Sequence, residues 1–544
     1  MKCNRYLVGG ASVLAIAAVA SLSAGASAHT YYYPYKRGTT VRLDPNHLGH
    51  VGPYEPAFKA SKTSKSGKWT DTKAKLPFAN GPWQPEQLTD GTVLVEDYCT
   101  SPTQWYKLTP DKTGSYVNGA WSKIATMPSG YSPLFFASQV LTDGRMIVNG
   151  GEYNDCNGDW TTLGALYDPV KDSWTSVSPP TGWHSIGDAQ SAILPDGTYM
   201  LADCCTEQAA TASLSGTTVT WTATGTGKAD INDEEGWSNL PDGKVFTVDS
   251  WKLGTSGGDN YETYDPSTGT WTSLGYTPDT LTVTKTREIG PGDLTPQYGK
   301  SGTIIQFSGN SATGINDIYD VASDKWTSGP AMTYQSAIYD VADGPSATLP
   351  DGNVLVEASP GYSETPSHFW EWSFSKKGKL KVTQVNDPTE APRTSSFEGN
   401  LMLLPTGQVI WDNSQDKHNE VALYTPTGKP KSTWLPAVSS VANKLKLGST
   451  ANAISGTNFN GFDQGGYYGD DAQENTNFPL VRFTNTKTGD VCYARSYSFS
   501  TMGVWTTGTT NASFDIPKSC EKGASTLQVV VNGIASAAVK VTLS

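Results

Sequence analysis

The chain has 544 residues and a formal net charge of −13, with only 17% charged residues against 55 glycines, 17 tryptophans and 26 tyrosines. That balance describes short strands and tight turns rather than helices, and the length exceeds what one hydrophobic core serves. The acidic charge excludes nucleic acid and anionic membrane surfaces as partners, since both require a basic face.

In chain order, residues 1–28 read as a secretory signal. Lys2 and Arg5 precede an apolar run from Val13 to Ala20, and Ala26-Ser27-Ala28 forms an A-x-A cleavage site. No later stretch is apolar for long enough to span a bilayer, so no membrane insertion is expected and the periplasm or the exterior is the expected location. Residues 29–65 form an expected irregular arm, holding a tyrosine cluster (Tyr31, Tyr32, Tyr33, Tyr35) and the histidines His29, His47 and His50. Removing the signal leaves an even set of cysteines, which in an exported chain points to disulfides. The expected pairs are Cys99–Cys156 across adjacent repeat units, a vicinal Cys204–Cys205 bridge, and Cys492–Cys520 in the C-terminal region.

From residue 66 to 436 the chain repeats itself. LTDGTVLV (88–95), LTDGRMIV (141–148), LPDGTYML (194–201), LPDGKVFT (240–247), GKSGTIIQF (299–307), LPDGNVLV (349–356) and LPTGQVIW (404–411) each read as strand, turn, strand. Asp-Gly between apolar alternations is a hairpin signal because Gly supplies the positive φ of the turn. The turns recur about every 53 residues, close to the kelch period of about 50. A second signature follows each hairpin, as in YDPVKDSWT (167–175), YDPSTGTWT (264–272) and YDVASDKWT (319–327), where a turn leads into an outermost strand carrying Trp. Four strands per unit make one propeller blade. The fold class expected is therefore all-β: a seven-bladed kelch-like β-propeller over 66–436, closed by an N-terminal strand at Trp69. An immunoglobulin-like β-sandwich is expected over 437–544, where alternating strands and Gly/Asn/Ser turns replace the repeat.

Kelch units followed by a domain opening LYTPTGKPKSTWLPAVSSV resemble galactose oxidase and its glyoxal-oxidase relatives, and GDAQS, NDEEGW, ASPGYSETPSHF and YYGDDAQ resemble a bacterial group of exported kelch proteins. The oxidase resemblance implies a copper site built from a Cys cross-linked to a Tyr, a Tyr-His pair and a C-terminal His. Counting back from the turns, the Cys position falls on Phe135, the cross-linked Tyr on Asp188 and the Tyr-His pair on Phe397-Glu398. The C-terminal His is expected within 467–476, which contains none. The resemblance thus implies the fold, with copper and oxidase activity not expected.

The same count yields a positive pattern. The eighth residue before each turn opens the innermost strand of its unit: Pro82, Phe135, Asp188, Glu234, an ambiguous fifth, Asp343 and Glu398. In the fifth unit strict counting selects Asp293, whereas Glu288 in TREIGPG matches the local pattern better. Carboxylates at equivalent offsets converge at one mouth of the channel, with Glu235 and Glu86 close by. Asp188, Glu234, Asp343 and Glu398 are the candidate catalytic acids. Glu288, Arg287, Glu235, Trp237, His184 and His368 are candidate ligand-binding residues. Such acids can hold a hard divalent cation such as calcium, act as an acid/base pair on a sugar, or bind an amine or hydroxyl-rich ligand. Alternatively they accept backbone N–H groups or pair with Arg287 and only close the channel. Trp83, Trp237 and Tyr362 are aromatics able to stack on sugars, or core residues. The expected partner is a small-molecule or carbohydrate ligand met by a monomer. A non-redox polysaccharide lyase or hydrolase and a cell-envelope structural module are the rival readings.

Overall fold

The computed structural model describes residues 56–60, 66–283, 286–414 and 418–544. The signal segment and His29, His47 and His50 lie outside the described residues. The regular structure is β throughout, apart from three single 3-10 turns. Seven antiparallel sheets of four strands, one of them extended to five, follow one another from residue 68 to 425, with a small three-stranded sheet between residues 133 and 158 beside the second. Their innermost strands are Pro82–Gln87, Ala137–Val140, Ser191–Ile193, Ser238–Asn239, Gly292–Thr295, Ser346–Thr348 and Gly399–Leu403.

Hydrogen bonds join each sheet to the next. Gln84 Nε2 donates to Ser138 Oγ at 2.7 Å, Gln139 Nε2 to the Ser191 carbonyl at 3.2 Å, and Asn239 Nδ2 to the Ile193 carbonyl at 3.1 Å. Ser238 Oγ donates to the Gly292 carbonyl, Ser346 Oγ to Asp293 at 3.0 Å, and Trp411 Nε1 to Glu357 at 2.7 Å. Strand Lys68–Asp71 completes the seventh sheet, pairing Trp69 with Tyr424, and Asn419 Nδ2 donates to the Asn80 carbonyl at 3.0 Å beside the first sheet. The sheets thus close into a β-propeller, the arrangement that leaves few strand edges bare.

The repeat signatures have visible causes. Asp90, Asp143, Asp196, Asp242 and Asp351 each accept the N–H two residues on through Oδ1, an Asx turn that fixes the hairpin. The Gly after each of them has φ between +76° and +88°, where a side chain would be strained. In the second signature the Tyr ring meets its own Trp, at 5.0 Å for Tyr167–Trp174, 5.5 Å for Tyr264–Trp271 and 4.8 Å for Tyr319–Trp326. Trp174 and Trp221 also donate Nε1–H to carbonyls of the preceding unit, Ala125 and Ser178.

Residues 437–543 form a nine-stranded array of their own. The three disulfides are Cys99–Cys156, Cys204–Cys205 and Cys492–Cys520, with Cα separations of 5.4, 3.7 and 5.5 Å. They fit an oxidising compartment. Among the described residues no helix is long and apolar enough to cross a membrane.

Candidate functional site

A segment of the C-terminal array, residues 463–477, enters the propeller channel. Its backbone and side chains are bonded to five of the seven sheets. Glu474 accepts the Gln87 N–H at 2.7 Å, the Gln473 carbonyl accepts from Gln139 Nε2 at 2.8 Å, and Gln473 Oε1 accepts the Trp237 N–H at 3.2 Å. Gln464 Oε1 accepts the Asn239 N–H at 2.6 Å, and Tyr467 and Ser346 exchange backbone hydrogen bonds of 2.9 Å each. Tyr468 OH donates to the Phe397 carbonyl at 2.5 Å. Buried amides and carbonyls of an irregular segment need such partners, and the Gln- and Asn-rich sequence supplies them.

At the mouth above this plug two trios of carboxyl groups meet. Asp188, Glu234 and Asp470 form one, with an oxygen from each within 4.8 Å of the others, and Glu234, Glu288 and Asp343 form the second on the same criterion. Four of the sequence-derived acids, from four successive units, therefore converge. Backbone conformation aims them: Glu234 and Asp343 have φ of 58° and 57°, while Asp188 and Glu288 each follow a left-handed residue, Gly187 at 68° and Arg287 at 71°. Non-glycine residues at positive φ are strained, by about 1–3 kcal/mol each, and concentrate at functional sites.

The fifth acid of the cluster, Asp470, comes from the plug. Its position coincides with the stretch where the oxidase resemblance expects a His, a signal already present in YYGDDAQ. Burial, then the neighbouring Asp343, Asp471 and Asp188 carboxylates, push its carboxyl well above the usual carboxylate range. Gly469 allows the plug to approach so closely, because a Cβ there would stand 2.8 Å from Asp343 Oδ1.

The other candidates take different places. Glu398 ends a 3-10 turn and folds back to accept the Ser395 N–H at 2.9 Å, so it joins neither trio. Asp293 lies deeper, accepting from Ser346 and Thr348, and is pushed up to about 7 by burial. Glu235 faces away from the mouth into a buried cage. There Lys228 Nζ meets Asp249 at 2.7 Å, Asp230 at 3.0 Å and both Glu235 and Glu262 at 3.1 Å. Arg287 lies over the Trp251 ring at 5.1 Å. Trp237 is fully buried against Trp271 at 5.6 Å. His184 is exposed. His368 is buried, with Nδ1 2.7 Å from Asp387 and its ring 4.1 Å from Tyr334. The Lys228 cage escaped the sequence reading because its members are spread over Lys228–Glu262 without a fixed spacing.

Aromatic side chains gather around the first, second and seventh repeat units. Trp83, Tyr98, Phe135, Tyr153 and Phe397 pack in one cluster with the Cys99–Cys156 bridge, and half-buried Tyr362 lies 6.0 Å from Phe397. The vicinal bridge sits beneath the acids, since a Cβ at Gly187 would meet Cys204 Sγ at 2.6 Å.

No family model matches the chain. A curated relative, the kelch-like protein terF of Aspergillus terreus, is 26% identical over 132 residues, covering 23% of this chain and 26% of the relative. The chain therefore matches about a quarter of that relative's length. Among solved structures, a fungal alcohol oxidase of the AA5 family in complex with copper aligns with a TM-score of 0.48 and 14% identity, over 88% of this chain and 99% of that one. A streptogramin B lyase aligns with a TM-score of 0.42 and 10% identity, over 67% of this chain and all of that one.

The donor set here does not fit copper. The two trios offer only carboxyl oxygens, and no His or thiolate belongs to either, whereas copper favours imidazole and sulfur ligands.

Proposed function

We propose that the chain is an exported kelch-type protein whose seven sheets are the seven blades of the propeller, capped by an immunoglobulin-like sandwich. It binds a carbohydrate-like, hydroxyl-rich ligand at the acidic mouth of the channel. The observation that carries this reading is the carboxyl cluster at the mouth. Carboxyl groups of Asp188, Glu234, Glu288, Asp343 and Asp470 crowd together, and half-buried Tyr362 lies 6.0 Å from Phe397 at the edge of a buried aromatic wall that includes Phe135. Sugars present hydroxyls that carboxylates accept and apolar ring faces that aromatic side chains cover. Tyr362, the most accessible ring of that wall, is the residue placed to stack.

The test is calorimetric titration of the mature protein with a panel of neutral and acidic oligosaccharides, followed by product analysis for turnover. At least one glycan is expected to bind, with a loss of at least about tenfold in Asp188→Asn, and to be weakened in Tyr362→Ala by about 1 kcal/mol, the order of one aromatic contact. A panel without binding, or Asp188→Asn with unchanged affinity, refutes the assignment.

A further inference from the structure

We propose that the mouth is a two-cation centre, in which Asp188, Glu234 and Asp470 hold one hard divalent cation, Glu234, Glu288 and Asp343 hold a second, and Glu234 bridges the two. In each trio the oxygens lie within 4.8 Å of one another. Some point then lies within about 2.8 Å of all three oxygens of a trio, so small side-chain rotations reach the 2.3–2.6 Å of calcium–oxygen bonds. An all-oxygen donor set suits calcium or manganese. A shared carboxylate between adjacent sites is the arrangement that sets two cations about 4 Å apart. Two divalent cations bring four positive charges to five carboxyl groups.

The plug supplies an independent observation. Asp470 is 2% exposed; its Oδ1 accepts the Asp471 N–H at 2.8 Å, whereas its Oδ2 accepts no hydrogen bond although the residue stands beside Asp188 and Glu234. A buried carboxyl oxygen left without a donor is costly. Here it is carried into the channel by a segment from a different domain, so the repeat alone does not explain it. Gly469 completes the cradle by leaving room beside Asp343 Oδ1.

The cation centre does not depend on the ligand being a glycan. Mature protein, stripped with EDTA and dialysed, is titrated with calcium by calorimetry and with manganese by electron paramagnetic resonance. Two equivalents per chain and an exchange-coupled manganese pair are expected. Glu234→Gln is expected to lose both equivalents, Glu288→Gln only the second and Asp470→Asn only the first, each with an unchanged circular dichroism spectrum. No uptake, a single uncoupled equivalent, or two equivalents retained in Glu234→Gln overturns the proposal. Protein that takes up two cations but no glycan refutes only the ligand reading. Protein that binds glycan in EDTA and takes up no cation refutes only the cation centre.

Discussion

Gln139 grips the backbone around Gln473 with both ends of its amide: Nε2 donates to the Gln473 carbonyl at 2.8 Å, and Oε1 accepts the following Asn475 N–H at 3.0 Å. A single side chain of the second sheet thus satisfies two buried backbone groups of the plug that carries Asp470. Gln139→Leu leaves both unsatisfied and is expected to cost about 2–6 kcal/mol, at about 1–3 kcal/mol for each buried group. Hydrogen exchange should quicken at residues 463–477, and chemical denaturation should report the loss. Unchanged exchange in that segment would show that the remaining contacts hold the plug without it.

Lys228 lies at the centre of four buried carboxylates. Burial alone would lower its pKa, but Glu235, Asp230, Asp249 and Glu262 raise it well above the usual value. Removing the cation strands like charges in a dry interior. Lys228→Met is therefore expected to cost at least about 3–5 kcal/mol and to disturb the adjacent Glu234. Glu262→Gln, which removes one of the four carboxyl groups around the cation, should cost far less. Equal stability of the two variants in urea would contradict this.

The Cys492–Cys520 bridge closes a loop of sequence separation 28 in the C-terminal array. Loop-closure entropy makes such a bridge worth about 3.6 kcal/mol. The double Ser variant should unfold that much more easily, and non-reducing peptide maps should show the pair. Free thiols at both positions in the native protein would refute it.

Asp412 is fully buried, its Oδ1 accepts only from Asn400 Nδ2 at 3.3 Å, and burial pushes it up to about 7. A carboxyl raised in the folded state keeps its proton while the unfolded chain ionises. Stability is fully present below about pH 4 and is lost as the pH rises towards 7. Asp293 shifts the same way. The melting temperature of EDTA-treated protein should accordingly fall between pH 5 and pH 8, and Asp412→Asn should flatten that slope. A parent protein that gains stability over this interval would reverse the assignment.

Copper-loaded protein is expected to show no tyrosyl-radical absorption and to release no peroxide from galactose or glyoxal, because Phe135, Asp188 and Phe397-Glu398 stand at the positions that the oxidase resemblance selects. Peroxide formation at enzyme-like rates would overturn that.

The repeat was legible from the sequence alone because its causes are local. An Asp-Gly turn and a Tyr–Trp contact involve residues only a few positions apart, so spacing sets strand register within a unit. Asp188, Glu234 and Asp343 share one offset, and equivalent offsets in a closed ring must meet; Glu288 needed local pattern, since an insertion breaks the count. Tertiary structure decided what spacing cannot encode. Glu398 has the right offset, yet its local turn folds it onto the Ser395 N–H. Glu235 is one residue from the mouth, yet beyond the left-handed Glu234 its side chain reaches Lys228 instead. Asp470 lies far along the chain from Asp188 and reaches it only because the channel offers buried donors and acceptors that the Gln- and Asn-rich plug can satisfy. Such long-range contacts depend on how sheets distant in the chain dock, and no local period records that.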